Sequence, residues 1–176
     1  MIKKVLALTL GLSVVFALGM VSAQSINDAQ IASIVVTANQ VDIDAGKVAA
    51  SRSANDAVKK FAQLMITDHT GVNKAAVDLV TKLKVTPQDN STSQNLKAGG
   101  DKHLARLKTL SGAPFDTAYV DQEVAYHQQV LDAVDKVLIP NAMNAELKAL
   151  LVKVRPAFVA HLEHAKHLQK SISGDR

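Results

Sequence analysis

The chain has 176 residues, a formal net charge of +4 and no cysteine. The absence of cysteine excludes disulfide bonds, cysteine nucleophiles and lipid attachment at a lipobox, and neither a phosphate-binding loop nor a Gly-x-Ser-x-Gly elbow occurs. The charge is too weak to predict nucleic acid as a partner, and no basic stripe with interleaved aromatic residues occurs.

The first 23 residues have the pattern of a secretory signal peptide. Lys3 and Lys4 precede an apolar run at 5–20, and small residues lead to an expected cleavage site after Ala23. An uncleaved membrane anchor is the alternative, but a bilayer span needs about 20 apolar residues. We therefore predict one mature domain at residues 24–176, periplasmic or secreted, with no second stretch that is long enough to cross a membrane.

The first two predicted helices carry apolar residues at helical spacing. Helix one runs from about 27 to 53, with Asn27 or Asp28 as its cap, and Asp42 occupies an interior slot of its apolar stripe. Helix two follows a cap at Asn55 and ends near residue 84. Its stripe keeps a heptad spacing over about seven turns, and His69 takes one of the interior positions.

The connection between residues 85 and 112 is long enough to return to the other end of a bundle. Residues 94–110 are compatible with a short helix, but Gly99 and Gly100 weaken it by about 1 kcal/mol each relative to alanine. The sequence therefore predicts a crossover with a short or broken helix. Both an up-down-up-down order and a crossover order of the main helices are allowed.

Two further helices complete the pattern. The third runs from about 111 to 139 with His127 in its apolar stripe, and the fourth from about 144 to 172 with His161 in its stripe. Pro156 predicts a kink or a break in the fourth helix. Four amphipathic helices without a strand pattern predict an all-α, ferritin-like four-helix bundle with a long connection between helices two and three.

One carboxylate and three imidazoles replace apolar residues in these stripes. At about 1.5 Å per residue, Asp42, His69, His127 and His161 all fall near mid-bundle, within about two turns of one level. Buried imidazoles and carboxylates need partners. A hydrogen-bonded network would supply them, with Asp42 holding a protonated histidine. One metal ion would also supply them, and the donor set suits zinc, iron, copper or manganese.

Three neighbouring residues are further candidates for this site. Glu123 lies one turn before His127, where it would act as a fifth ligand or an orienting partner. Asp68 is a candidate for the outer shell of the site, and His164 is one turn from a predicted ligand. The remaining histidines, His103 and His167, are expected to face solvent.

Several stretches resemble the exported bacterial family called domain of unknown function 4142. The resemblance covers nearly all of residues 27–172, and it rests on residues 41–49, 58–69, 111–120, 127–128 and 161–162. It implies a ferritin-like four-helix bundle in the periplasm, although such proteins are often labelled outer-membrane proteins. It implies no established reaction.

The resemblance also assigns family positions to the candidate residues. The Asp-His pair of the family falls on Asp68 and His69, and its later histidines fall on His127 and His161. Where the family commonly has glutamate in helix one, this chain has Asp42, whose side chain reaches about 1.5 Å less far.

The spacing of a ferritin-type di-iron centre is missing. Such centres use Glu-x-x-His motifs, but the residues three before the histidines are apolar, namely Ile66, Val124 and Phe158. The leading hypothesis is a metal-binding bundle, and an enzyme with a mononuclear site is not separated from it. The alternative is a non-catalytic envelope structural or interaction protein with a buried histidine network. No partner is identified, and a homo-oligomer is compatible with the sequence.

Overall fold

The computed structural model describes residues 26–174, and the predicted signal peptide at 1–23 lies outside them. No strand occurs within the described residues, so the predicted all-α class is confirmed. We number five helices: α1 Asp28–Arg52, α2 Asp56–Leu83, α3 Ser91–Lys108, α4 Gly112–Ala133 and α5 Ala145–Ser173. α4 continues through a π-helical turn, Val134–Leu138, and a last short turn, Ile139–Asn141.

Asparagine caps explain why the predicted starts of α1, α2 and α5 are accurate. The side chain of an asparagine accepts backbone N–H groups at the starts of α1, α2, α3 and α5, from Asn27, Asn55, Asn90 and Asn144. These N–H groups have no partner within the helix, so a capping oxygen stabilises the helix at that position. At Asn27 the cap is reciprocal, because the Gln30 side chain also accepts the Asn27 N–H at 3.0 Å.

The direction of α3 decides the order of the bundle. The backbone N–H of Gln88, just before α3, donates to Ala29 O at 3.0 Å, near the start of α1. Near the end of α3, Leu107 O accepts from Arg52 Nη1 at 2.9 Å, at the end of α1. α3 therefore runs parallel to α1 and returns the chain to the end of the bundle where α2 begins. The order is a crossover, as in ferritin-like bundles, and not up-down-up-down.

α3 confirms the predicted helix in the crossover, although it begins at Ser91 rather than near residue 94, and it is not broken. Its 18 residues are uninterrupted through Gly99 and Gly100. A Cβ atom at Gly100 would lie 2.8 Å from Val41 Cγ1, so glycine lets α3 approach α1 closely. This packing offsets the low helix propensity of the glycine pair, which propensity alone does not reveal.

The two glycines are expected to respond in opposite ways to alanine. Gly99→Ala should raise the free energy of unfolding by up to about 1 kcal/mol, because the new methyl group meets no atom within 4 Å. Gly100→Ala should lower it by about 1–3 kcal/mol, because the methyl group overlaps Val41. Urea denaturation of both variants measures the difference, and equal shifts would contradict the packing of α3 on α1.

Two further differences concern the second half of the chain. α5 is unbroken through Pro156, so a break does not occur there. Proline has no backbone N–H, so the carbonyl of Val152, four residues earlier, has no hydrogen-bond partner in the helix. Because Val152 and Pro156 are both exposed, water can bind to this carbonyl. The π-helical turn in the third predicted helix is the other difference, because nothing in the periodicity indicates it.

The core consists of two apolar clusters separated by a polar layer. One cluster includes Phe61, Met65 and Tyr119, and the other includes Ile31 and Leu151. In α1, α2 and α4, a buried aspartate or histidine lies between the residues of the one cluster and those of the other, and in α5 His161 lies next to this boundary. Within residues 26–174, no helix combines the length and apolar character of a membrane span.

Candidate metal centre

The polar layer brings together the four residues that the sequence singles out. Asp42 lies on α1, His69 on α2, His127 on α4 and His161 on α5, and their exposed fractions are 1%, 3%, 0% and 3%. The three imidazole rings lie at centroid distances of 5.2–5.6 Å from one another. The agreement in depth follows from helix geometry, because residues near the middle of each helix meet in either bundle order.

Asp42 is in direct contact with two of the histidines. Its Oδ2 atom lies 3.0 Å from His69 Nε2 and 3.4 Å from His127 Nε2. One ring nitrogen from each of His69, His127 and His161 lies within 4.8 Å of the others. The layer therefore brings three ring nitrogens close together and places a carboxylate against two of the rings.

An outer partner orients the His69 ring. Asn39 Nδ2 donates to Val35 O at 2.8 Å, which turns the amide oxygen of Asn39 toward His69. That oxygen lies 2.7 Å from His69 Nδ1. Because a carbonyl oxygen only accepts, Nδ1 carries a proton and donates to Asn39, and Nε2 faces Asp42.

The other two rings are oriented in the same way. His127 Nδ1–H donates a hydrogen bond to the backbone oxygen of Glu123 at 3.0 Å, so Nε2 faces inward. His161 Nε2 lies 2.8 Å from Asp68 Oδ2, which leaves Nδ1 facing inward. Metal-ligating histidines almost always donate their second ring N–H to a carboxylate, a carbonyl or water, and all three rings follow this pattern.

The centre is consequently rich in acceptors. The inward nitrogens of the three rings and both oxygens of Asp42 are buried without a hydrogen-bond partner among the described residues. Adjacent lone pairs repel each other and cost free energy when they are buried unpaired. A cation among these atoms, either a metal ion or an added proton, removes this cost.

The pKa values of Asp42, His127 and His161 are shifted by their burial and by their closeness to one another. Burial raises the pKa of Asp42 by itself, but the charge and hydrogen bond of His69 in its protonated form, together with the charges of protonated His127 and His161, hold this pKa below its usual range. Burial lowers the pKa of His127 to about 4, and burial also lowers the pKa of His161 against the opposing effect of Asp68. His127 is therefore neutral at physiological pH, which leaves its inward nitrogen free to bind a metal ion.

Glu123 lies against this centre as a further carboxylate. Its Oε2 atom is buried without a hydrogen-bond partner among the described residues, 3.5 Å from His127 Nδ1. Asp42, Glu123 and His127 form a second group of mutually close donors. Burial, together with the charge of Asp42, raises the pKa of Glu123 well above its usual value.

The remaining candidates lie elsewhere. Asp68 is an outer partner of His161 and not of its neighbour in sequence. His164 is exposed and packs edge-on against the ring of Phe61 at 5.0 Å, so it does not join the cluster. His167 is exposed, as expected.

Sequence reasoning missed Asn39 and misplaced His103. Asn39 lies one turn before Asp42, so its helical spacing was the available signal. The expectation that His103 faces solvent is wrong, because its exposed fraction is 8%. His103 is buried because α3 is a full helix packed along α1.

Acidification is expected to weaken the fold partly through His103. Burial, with Arg106 nearby, lowers the pKa of His103 from 6.5 to about 4. Between these values the unfolded chain binds more protons, so stability present above the unfolded pKa is lost as the pH falls. In chelator, the free energy of unfolding should fall more steeply in wild type than in His103→Leu, by up to about 1.4 kcal/mol per pH unit. Urea denaturation between about pH 7 and 5 measures this, and parallel slopes would contradict it.

The fold and the polar layer define an all-helical protein with a buried carboxylate-histidine cluster. The sequence profile of a family described as domain of unknown function (DUF4142) matches residues 17–168. The chain therefore belongs to this family, and the family description assigns no function. No curated protein and no solved structure was found to match the chain.

Proposed function

We propose that this is an exported metal-binding protein that holds one divalent transition-metal ion in its bundle core. Asp42, His69, His127 and His161 are the ligands. The observation that carries the proposal is the orientation of the three rings, each of which donates outward and directs its other, unpartnered nitrogen inward. Export rests on the predicted signal peptide at 1–23.

The distances fit such an ion. Ligands at about 2.0–2.1 Å from a tetrahedral metal are about 3.3 Å apart. The Asp42–His127 contact is 3.4 Å, and one ring nitrogen from each of the three histidines lies within 4.8 Å of the others, so we expect small side-chain movements to close the shell. Nitrogen and carboxylate donors suit zinc, iron, copper or manganese. Glu123 is close enough to Asp42 and His127 to add a fifth donor.

A metal-free polar network is the second candidate. The contact of 3.0 Å between Asp42 Oδ2 and His69 Nε2 has hydrogen-bond length and would pair the carboxylate with a protonated ring. The protein would then be a structural or interaction protein of the envelope. This candidate needs a second proton on His69, whereas the metal ion satisfies all the inward atoms together.

Elemental analysis of the tag-free protein separates the two candidates. The expected result is about one transition-metal ion per chain, lost on chelation and restored on adding the same metal. The protein purified without metal should also melt at a higher temperature after reconstitution. A metal-free protein whose melting temperature is unchanged by zinc, iron, copper and manganese would favour the network.

Asp68→Ala is expected to weaken metal binding about 10–100-fold without removing a ligand. The substitution takes away the acceptor that holds His161 Nε2 at 2.8 Å, so the ring loses its orientation. Asp78→Ala is the matched control, because Asp78 is an exposed aspartate on the same helix and, within residues 26–174, pairs only with Lys74. Competition against a chromogenic chelator measures both affinities, and equal affinities would remove Asp68 from the site.

A further inference from the structure

A cavity of about 420 Å³ lies beside the cluster. Its lining comes mainly from α1, α3, α4 and α5, and it includes the side chains of Asp42 and His127. Sites for small molecules are typically about 300–1,000 Å³. The volume therefore suits a small molecule, which would lie next to the proposed metal ligands.

The wall of the cavity is mainly aliphatic. Ile34 and Val41 contribute from α1, Leu96 from α3 and Val130 from α4. Neither lysine nor arginine occurs among the described residues that line it, and its only carboxyl groups belong to Asp42 and Glu123. An anion would meet no positive side chain there, so the wall favours an uncharged, chiefly apolar molecule.

His103 supplies a polar group on this wall that the proposed metal site does not use. Its exposed fraction is 8%, and its Nε2 atom is buried without a hydrogen-bond partner among the described residues. Burial lowers the pKa of His103 to about 4, so the ring is neutral at physiological pH. A hydroxyl group both donates and accepts, and it therefore pairs with Nε2 in either tautomer.

The backbone around the cavity is adapted to it at two places. Val134 and Leu138, the first and last residues of the π-helical turn, line the cavity, and π-helical turns are frequent at functional sites. Across from them, Gly99 lines the cavity, and a Cβ atom there would meet nothing within 4 Å. Glycine at this position leaves open space that a side chain would occupy.

We propose that this cavity binds a small, uncharged, chiefly apolar molecule that bears a hydroxyl group, with the hydroxyl paired to His103 Nε2. The bound molecule lies beside Asp42 and His127. Binding requires the cavity and His103 but not the metal ion, so a failure of the metal proposal leaves this one testable.

The test uses 2-naphthol as the probe on the purified, tag-free protein in excess chelator. In a fluorescence titration, 2-naphthol is expected to bind at about one site per chain. Naphthalene should bind to the same site about 3–10-fold more weakly, because it has no hydroxyl group. The anion 2-naphthoate should bind weakest, because it meets no positive side chain. No binding of 2-naphthol, or tighter binding of 2-naphthoate, would overturn the proposal.

Matched variants locate the site. Gly99→Phe is expected to weaken 2-naphthol binding at least about tenfold by filling the cavity. Gly71→Phe is the control, because Gly71 is also an exposed helical glycine with nothing within 4 Å of a Cβ, but it does not line the cavity. His103→Leu should bind 2-naphthol and naphthalene equally. Unchanged 2-naphthol binding in folded Gly99→Phe would overturn the location, and a retained preference for 2-naphthol in His103→Leu would overturn the role of His103.

Discussion

His127→Ala is expected to lower the metal content of the purified protein at least about tenfold. His127 has an exposed fraction of 0%, and it is the one residue shared by the two groups of mutually close donors in the described core. Its Nε2 lies 3.4 Å from Asp42 Oδ2, and its outer nitrogen is held by the Glu123 carbonyl. Removing the ring therefore deletes one donor and leaves Asp42 with fewer partners.

His167→Ala is the matched control for this experiment. His167 is exposed on α5, so the substitution removes a histidine without touching the cluster. Both variants are purified without a tag and measured by elemental analysis, with far-UV circular dichroism as the check on folding. A folded His127→Ala protein that keeps wild-type metal content would exclude His127 as a ligand. Equal loss in both variants would show that the metal is bound at the surface.

The second large effect concerns stability. A free metal ion at about 1,000 times its dissociation constant should raise the free energy of unfolding by about 4 kcal/mol over the protein in chelator. Asp42→Asn should remove most of this increment. The substitution keeps the shape of the side chain but deletes the negative charge that faces His69 and His127 at 3.0 and 3.4 Å. Urea denaturation with and without metal measures the increment in each protein.

Asp44→Asn provides the comparison for Asp42→Asn. Asp44 lies on the same helix, but its carboxylate pairs at the surface with Lys47 and Gln40. In Asp44→Asn, the rise in the free energy of unfolding on adding metal is expected to equal that of wild type. If metal raises the free energy of unfolding of Asp42→Asn as much as that of wild type, the Asp42 carboxylate is excluded as a ligand. A wild-type protein with no increment for any of the four candidate metals would favour the polar network.

Much of the helical framework was predictable from local patterns. Asparagine caps and apolar periodicity act within a few residues, so the boundaries near Asn27 and Asn55 follow from neighbouring residues alone. The convergence of Asp42, His69, His127 and His161 was predictable for a related reason. Each interrupts an apolar stripe near the middle of its helix, and mid-helix positions meet in any bundle order.

The outer partners of the histidines were less accessible to sequence reasoning. Glu123 and Asp68 stood out as titratable neighbours, but the particular contact of Asp68 with His161 joins two helices that are far apart in the chain. Asn39 lies on the face of α1 that points into the bundle, but an uncharged amide gives no strong signal in an apolar stripe. Such partners depend on side-chain directions across the bundle.

By itself, the sequence determined the all-helical class, the starts of the main helices and the four interior polar positions, because these depend on local hydrogen bonds and on periodicity. Only the tertiary structure decided the crossover order, the full length of α3 and the burial of His103. These features depend on the packing of Gly100 against Val41 between distant segments, where close contact outweighs local helix propensity.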